Sequence, residues 1–105
     1  MASESGRYRV AVSQRAAQDL VAHAAFLAQV SPDAAEALTA AFERAANSLE
    51  EMPNRCPRYK DVDIPSTTYR YLLFEKRYKL LFQIQEDTVY VDYILDARQD
   101  EGLGF

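Results

Sequence analysis

The stretch Tyr69-Arg70-Tyr71-Leu72-Leu73-Phe74, then Tyr78-Lys79-Leu80-Leu81-Phe82-Gln83-Ile84, then Thr88-Val89-Tyr90-Val91-Asp92-Tyr93-Ile94-Leu95 decides the fold of this chain. Each run is rich in β-branched and aromatic residues and has strand length. Glu75-Lys76-Arg77 and Gln85-Glu86-Asp87 separate the runs and are short enough to force antiparallel hairpins. Successive side chains of a strand point to opposite faces. Tyr78, Leu80, Phe82 and Ile84 therefore share one face, and Val89, Val91, Tyr93 and Leu95 share another, all without charge; both sets are expected to face the core. The reverse face receives Lys79, Leu81, Gln83, Tyr90, Asp92 and Ile94.

Upstream of this meander the pattern changes. Arg7 to Val12 alternates as a short strand that can join the sheet, and Ser13 follows with a side-chain oxygen suited to cap a helix. From Gln14 to Gln29, Ala17, Leu20, Val21, Ala24, Leu27 and Ala28 recur at spacings of three and four, which draws one apolar helical stripe. Ser31-Pro32-Asp33 opens a second helix: a capping serine, proline at the first helical position, and an acid beside the positive end of the dipole. Leu38, Phe42, Ala45, Leu49 and Met52 form its stripe, and Pro53 is expected to end it. The short connection folds the helices back as an antiparallel hairpin. Asn54 to Thr68 reads as an irregular crossing from the helical layer to the sheet. The expected fold is α+β, a two-layer β-α-α-β-β-β arrangement with an α-hairpin on one face of an antiparallel C-terminal meander.

The 105 residues suit a single domain, expected over 7–105 behind a small polar tail, 1–6, that is expected to be disordered. No apolar run approaches the roughly 18 residues of a spanning helix, so no membrane partner is expected. One cysteine, Cys56, excludes an internal disulfide and favours a reducing, cytoplasmic setting. The net charge of -4 argues against phosphate gripping as the main task, since cationic contacts dominate nucleic-acid affinity. The single histidine, His23, has no His or Cys neighbour for a metal site and lies outside any nucleophile elbow. It is expected at the helix surface or boundary. The three glycines, Gly6, Gly102 and Gly104, make no phosphate loop. No metal or cofactor is expected, and the acid pairs Asp61 with Asp63 and Asp96 with Asp100 read as solvated charges.

Two clusters remain. Arg70, Lys79 and Arg98 have the parity or position to converge on the outer sheet face, where they suit a developing phosphorane charge or an acidic partner. Leu72, Phe74, Leu81, Tyr90 and Ile94 are assigned to the same face, and an apolar strip beside cations points to protein binding.

Val10-Ala11-Val12-Ser13 before an Ala-rich helix, Ser48-Leu49-Glu50-Glu51-Met52-Pro53, Tyr69-Arg70-Tyr71-Leu72-Leu73, Tyr78-Lys79-Leu80-Leu81-Phe82 and Ile94-Leu95-Asp96-Ala97-Arg98-Gln99-Asp100 together resemble the RelE/ParE superfamily of bacterial toxins, from type II toxin-antitoxin (plasmid stabilisation) modules. The resemblance runs from about Tyr8 to Asp100. It implies a cytoplasmic toxin held by a cognate antitoxin. One branch of the superfamily cleaves mRNA on the ribosome without a metal (mRNA interferases), and another inhibits DNA gyrase. On the nuclease branch Arg70, Lys79 and Arg98 match basic positions and are the catalytic residues if the chain is a ribonuclease. Leu72 stands where that branch has a second lysine, Asp96 where it has a histidine, Gln99 where it often has an arginine, and Phe105 where it has a tyrosine. General acid-base chemistry needs a proton carrier. The resemblance therefore implies a toxin that binds a protein, gyrase-like or another target. A ribosome-dependent endonuclease, or an inactive relative that serves as a binding module or homodimer, are the alternatives.

Overall fold

The computed structural model describes residues 7–60 and 69–97. The expected tail 1–6 lies outside them, as do Asp61, Asp63, Arg98, Gln99, Asp100 and Phe105. Strand β1 (Arg9–Val12) leads into helices α1 (Gln14–Ala28) and α2 (Pro32–Ser48), a short 3-10 turn (Pro53–Arg55), and strands β2 (Arg70–Phe74), β3 (Tyr78–Gln85) and β4 (Thr88–Asp96). They form a four-stranded sheet in the order β1-β4-β3-β2, with β1 parallel to β4 and the other pairs antiparallel. The expected element order and two-layer α+β architecture are both present.

Local chemistry sets the helix ends. Ser13 Oγ accepts the amide of Ala16 at 3.0 Å, and Ser31 Oγ accepts that of Ala34 at 3.3 Å, with Pro32 and Asp33 completing the start of α2. α2 stops at Ser48, one turn before the expected end at Pro53. The reason is competition for backbone. The Glu50 carbonyl accepts the Tyr8 amide at 2.7 Å, extending the sheet beyond the start of β1. Arg55 Nη2 meanwhile donates to the Ser48 carbonyl and hydroxyl, at 3.3 and 3.2 Å, at the end of the helix. Met52, assigned to the apolar stripe, takes a left-handed φ of 50° and is 73% exposed.

The core lies between the helices and the sheet. Ala16, Leu38, Phe42 and Leu49 from the helices pack against Tyr78, Leu80, Phe82, Val89, Val91 and Ile94. Burying a Leu, Val or Phe side chain contributes roughly 1.5–3 kcal/mol, so this layer is the main source of stability.

Two face assignments are corrected here. On β4 the pairing register shifts between Leu81 and Phe82, because Asp92 is an extra bulged residue. A bulge resets the alternation. Ile94 therefore turns into the core, where it is 1% exposed, and Tyr93 and Leu95 move to the outer face opposite Leu81 and Lys79. On β2, Phe74 pairs with Tyr78 across the three-residue turn and so shares its core-facing side. Leu72 and Arg70 follow Phe74 to the helix side by alternation.

Candidate partner-binding face

The outer face is assembled from rows of paired residues. Leu73, Lys79 and Leu95 form one row and Tyr71, Leu81 and Tyr93 the next. Gln83 and Tyr90 pair further along. Leu81 is fully buried although it points away from the helices. The segment Pro57 to Tyr59 folds along the free edge of β2. The Tyr59 amide donates to the Tyr69 carbonyl at 2.8 Å, and the Tyr71 amide to the Pro57 carbonyl at 3.0 Å. Tyr59 is thereby buried, with its ring 6.0 Å from that of Tyr71 in an edge-on contact. Lys79 Nζ sits over both rings, 5.5 Å from the Tyr59 centroid and 5.2 Å from that of Tyr71, which holds its charge against aromatic faces.

At the bulge the face becomes polar. Asp92 Oδ2 accepts the Tyr69 hydroxyl and the Gln83 side-chain amide, each at 2.7 Å. Burial, and then the adjacent Asp92 carboxylate, push the Tyr69 phenol well above its ordinary value. Tyr69 also meets Tyr93 edge-on at 5.8 Å, and the Arg15 guanidinium lies 5.2 Å from the Tyr93 ring centre. Among the described residues, the large exposed apolar groups of this side are Leu73, at 50%, and Tyr90, at 38%.

This placement changes both residue sets read from the sequence. Arg70 points to the helix side of the sheet and Lys79 to the outer side, so the two do not converge; Arg98 lies outside the described residues. Arg70 Nη1 donates to the Cys56 carbonyl at 2.6 Å and the Asn54 carbonyl at 3.4 Å, tying the irregular crossing to the sheet. Of the expected contact residues, Leu72, Phe74 and Ile94 belong to the helix-facing core, and Leu81 is inaccessible on the outer face. Tyr90 alone of that set is both outward-facing and exposed. Tyr71, Leu73, Tyr93 and Leu95 were missed, although the Phe74-Tyr78 hairpin pair would have found the β2 members.

His23 also has a defined role. β1 ends at Val12, whereas β4 continues, leaving its backbone beyond Val91 without a neighbouring strand on the β1 side. α1 takes over. The Ser13 amide donates to the Val91 carbonyl at 2.8 Å, Ser13 Oγ to the Asp92 carbonyl at 3.3 Å, and the Ile94 amide to Asp19 Oδ2 at 3.0 Å. His23 Nε2 lies 2.9 Å from the Ile94 carbonyl, and its ring is 5.2 Å from that of Tyr78. At the end of β4 the buried Asp96 pairs with Arg77 Nη2, from the turn before β3, at 2.9 Å. Among the described residues no group of three or more His, Cys, Asp or Glu side chains could hold a metal ion, and no helix is long and apolar enough to cross a membrane.

An α-hairpin thus covers one side of a mixed four-stranded sheet, and the opposite side is rich in tyrosine. The sequence matches the family described as "ParE toxin of type II toxin-antitoxin system, parDE" over residues 10–101, and the chain belongs to that family, within the RelE/ParE superfamily. Its fold is similar to a solved chain described as "Chromosomal ParDE TA system from P. aeruginosa". The TM-score is 0.70 at 18% identity, covering 87% of this chain and 97% of that one. No curated protein matches the sequence.

Proposed function

We propose that this toxin acts by binding a protein target through its outer sheet face, and that a cognate antitoxin holds it inactive. DNA gyrase is the first target to assay. The observation that carries the reading is the separation of Arg70 from Lys79 onto opposite faces of the sheet. A phosphate-cleaving site requires charges preorganised around one developing anion, and Arg70 is committed to the carbonyls of Cys56 and Asn54. Lys79, flanked by Tyr59 and Tyr71, with Leu73 and Leu95 in its row, has the mixed aromatic, aliphatic and cationic character of an interface anchor. The acidic net charge favours a protein over a nucleic acid.

Inducible expression in bacteria, with and without the adjacent small reading frame, tests the toxin activity and its neutralisation together. Growth arrest relieved by the second gene is the expected result, and unaffected growth in both cases overturns the reading. Leu73→Asp should relieve arrest while leaving the melting temperature near wild type, whereas Lys79→Glu should relieve it with a lower melting temperature, because it gives up both ring contacts. Inhibition of gyrase supercoiling by the purified chain would identify the target. Cuts at the ribosomal A site in primer extension would replace this reading with the endonuclease.

A further inference from the structure

The two layers leave a hollow between the helical hairpin and the β2–β3 turn. Leu27, Ala34, Ala37 and Leu38 line it from the helices, and Arg77 and Tyr78 from the strands, around a cavity of about 250 Å³. It reaches down to core residues, since Leu38 and Tyr78 are buried, whereas Ala37 is exposed. Alanines at 34 and 37, neighbours on one face of α2, leave space that longer side chains would fill. The Arg77 guanidinium does not enter as a loose charge, because Asp96 holds it at 2.9 Å. Pockets for small-molecule ligands run to roughly 300–1,000 Å³, so this one suits one or two apolar side chains.

The path of the chain supplies an occupant. Asp96 pairs with Tyr78, and the Ala97 amide donates to the Arg77 carbonyl at 2.6 Å, so the chain leaves the sheet beside two residues that line the cavity. Arg98-Gln99-Asp100-Glu101-Gly102-Leu103-Gly104-Phe105 follows, and its two large apolar side chains are Leu103 and Phe105. Each comes directly after a glycine, which permits a tight approach of the backbone. Six residues, 98–103, span up to roughly 20 Å when extended, ample for a cavity that begins at the exit point. Lys76, exposed in the adjoining turn and without an ion-pair partner among the described residues, complements Asp100 and Glu101 of the same segment.

We infer that this cavity is the seat of the chain's own segment 102–105, with Leu103 and Phe105 supplying the apolar groups that fill it. The tether decides between occupants. A segment joined to its site by a short flexible linker has an effective concentration in the millimolar range, so a second copy of the chain or a separate protein competes from far lower concentration. Docking there removes apolar surface from water on both sides and closes the seam between α2 and the β2–β3 turn.

The chain has no tryptophan, so Phe105→Trp in the full chain introduces a single fluorophore at the segment. The expected result is emission shifted to short wavelength and shielded from acrylamide, unchanged on dilution. Adding Ala37→Glu, an exposed change on the cavity wall, should return the emission and the quenching to those of tryptophan in water. Ala22→Glu, an exposed change on α1 away from the cavity, should leave both as they were. In the unsubstituted chain, nuclear Overhauser contacts should join the Leu103 methyls to those of Ala34 or Ala37, and Ala37→Glu should abolish them. Water-like emission without Ala37→Glu, shielding that survives it, or absent Leu103 contacts overturns the inference. So does shielding that disappears on dilution, which would make a second copy the occupant. None of these readouts depends on toxicity, so the seat of the segment and the toxin mechanism fail separately.

Discussion

Replacing Asp19 by alanine removes the acceptor for the Ile94 amide, in the part of β4 that outruns β1. The bond is 3.0 Å long, partly buried, and made to a carboxylate. Hydrogen bonds to charged groups contribute roughly 1.5–3 kcal/mol, and partial exposure puts this one near the lower end. His23→Ala removes the contact to the other polar group of the same residue, worth about 1 kcal/mol, together with a ring contact to Tyr78 worth about 0.5 kcal/mol or more. Against a total stability of roughly 5–15 kcal/mol, either change is measurable. Each kcal/mol corresponds to about 4–8 °C in melting temperature for a chain of this size. Both side chains hold one backbone residue, so the double variant should lose less than the sum of the two, by about 0.5 kcal/mol or more. Urea denaturation gives the energies, and native-state hydrogen exchange supplies the specific reading. In Asp19→Ala the Ile94 amide should lose protection selectively, while amides within β3 keep theirs. Stability within about 0.5 kcal/mol of wild type, with Ile94 still protected, would refute the role given to α1.

Leu81→Ala should cost about 2–5 kcal/mol in denaturant titrations, as deep a loss as a residue beneath the helices, while Leu73→Ala two strand positions from Tyr71 should change stability by no more than about 0.5 kcal/mol. Tyr69 has a folded-state pKa above its unfolded value of about 10. Its contribution is therefore fully present below pH about 10 and lost as pH rises from there through the folded value. Alkaline titration of stability should fall more steeply for wild type than for Tyr69→Phe. The Cys56 thiol is 3% exposed and burial pushes its pKa up, against the opposing influence of Arg55 and Arg70. Its reaction with an aromatic disulfide should be slow in the native protein and accelerate in parallel with unfolding in urea.

The fold was legible because its signals are local and redundant. Ser13, and Ser31 with Pro32 and Asp33, mark the helix starts, and the turns at Glu75–Arg77 and Glu86–Asp87 fix antiparallel neighbours. The outer face was less legible, since one residue of slippage exchanges the two sides of a strand. Asp92 caused that slippage on β4. An aspartate within a Val- and Tyr-rich strand was the available warning, because aspartate is disfavoured there and common where a ladder is interrupted. On β2 the warning was geometric. A three-residue turn leaves Phe74 opposite Tyr78, so assigning Tyr78 to the core already assigned Phe74. The packing of Tyr59 against Tyr71 and Lys79 could not be read at all, since Tyr59 arrives from an irregular segment without periodicity. The polar set of Ser13, Asp19 and His23 was equally hidden, because its purpose depends on how far β4 extends beyond β1.

The bond from Arg70 to the Cys56 carbonyl bears on how an alanine scan of this toxin will look. An Arg70→Ala protein that no longer arrests growth would mimic the signature of a lost catalytic cation, although the primary defect would be the release of the 54–56 crossing from the sheet. Comparing soluble yield and thermal midpoint across Arg70→Ala and Arg70→Lys separates an architectural arginine from a chemical one, and the same caution extends to any relative with an arginine at the start of this strand.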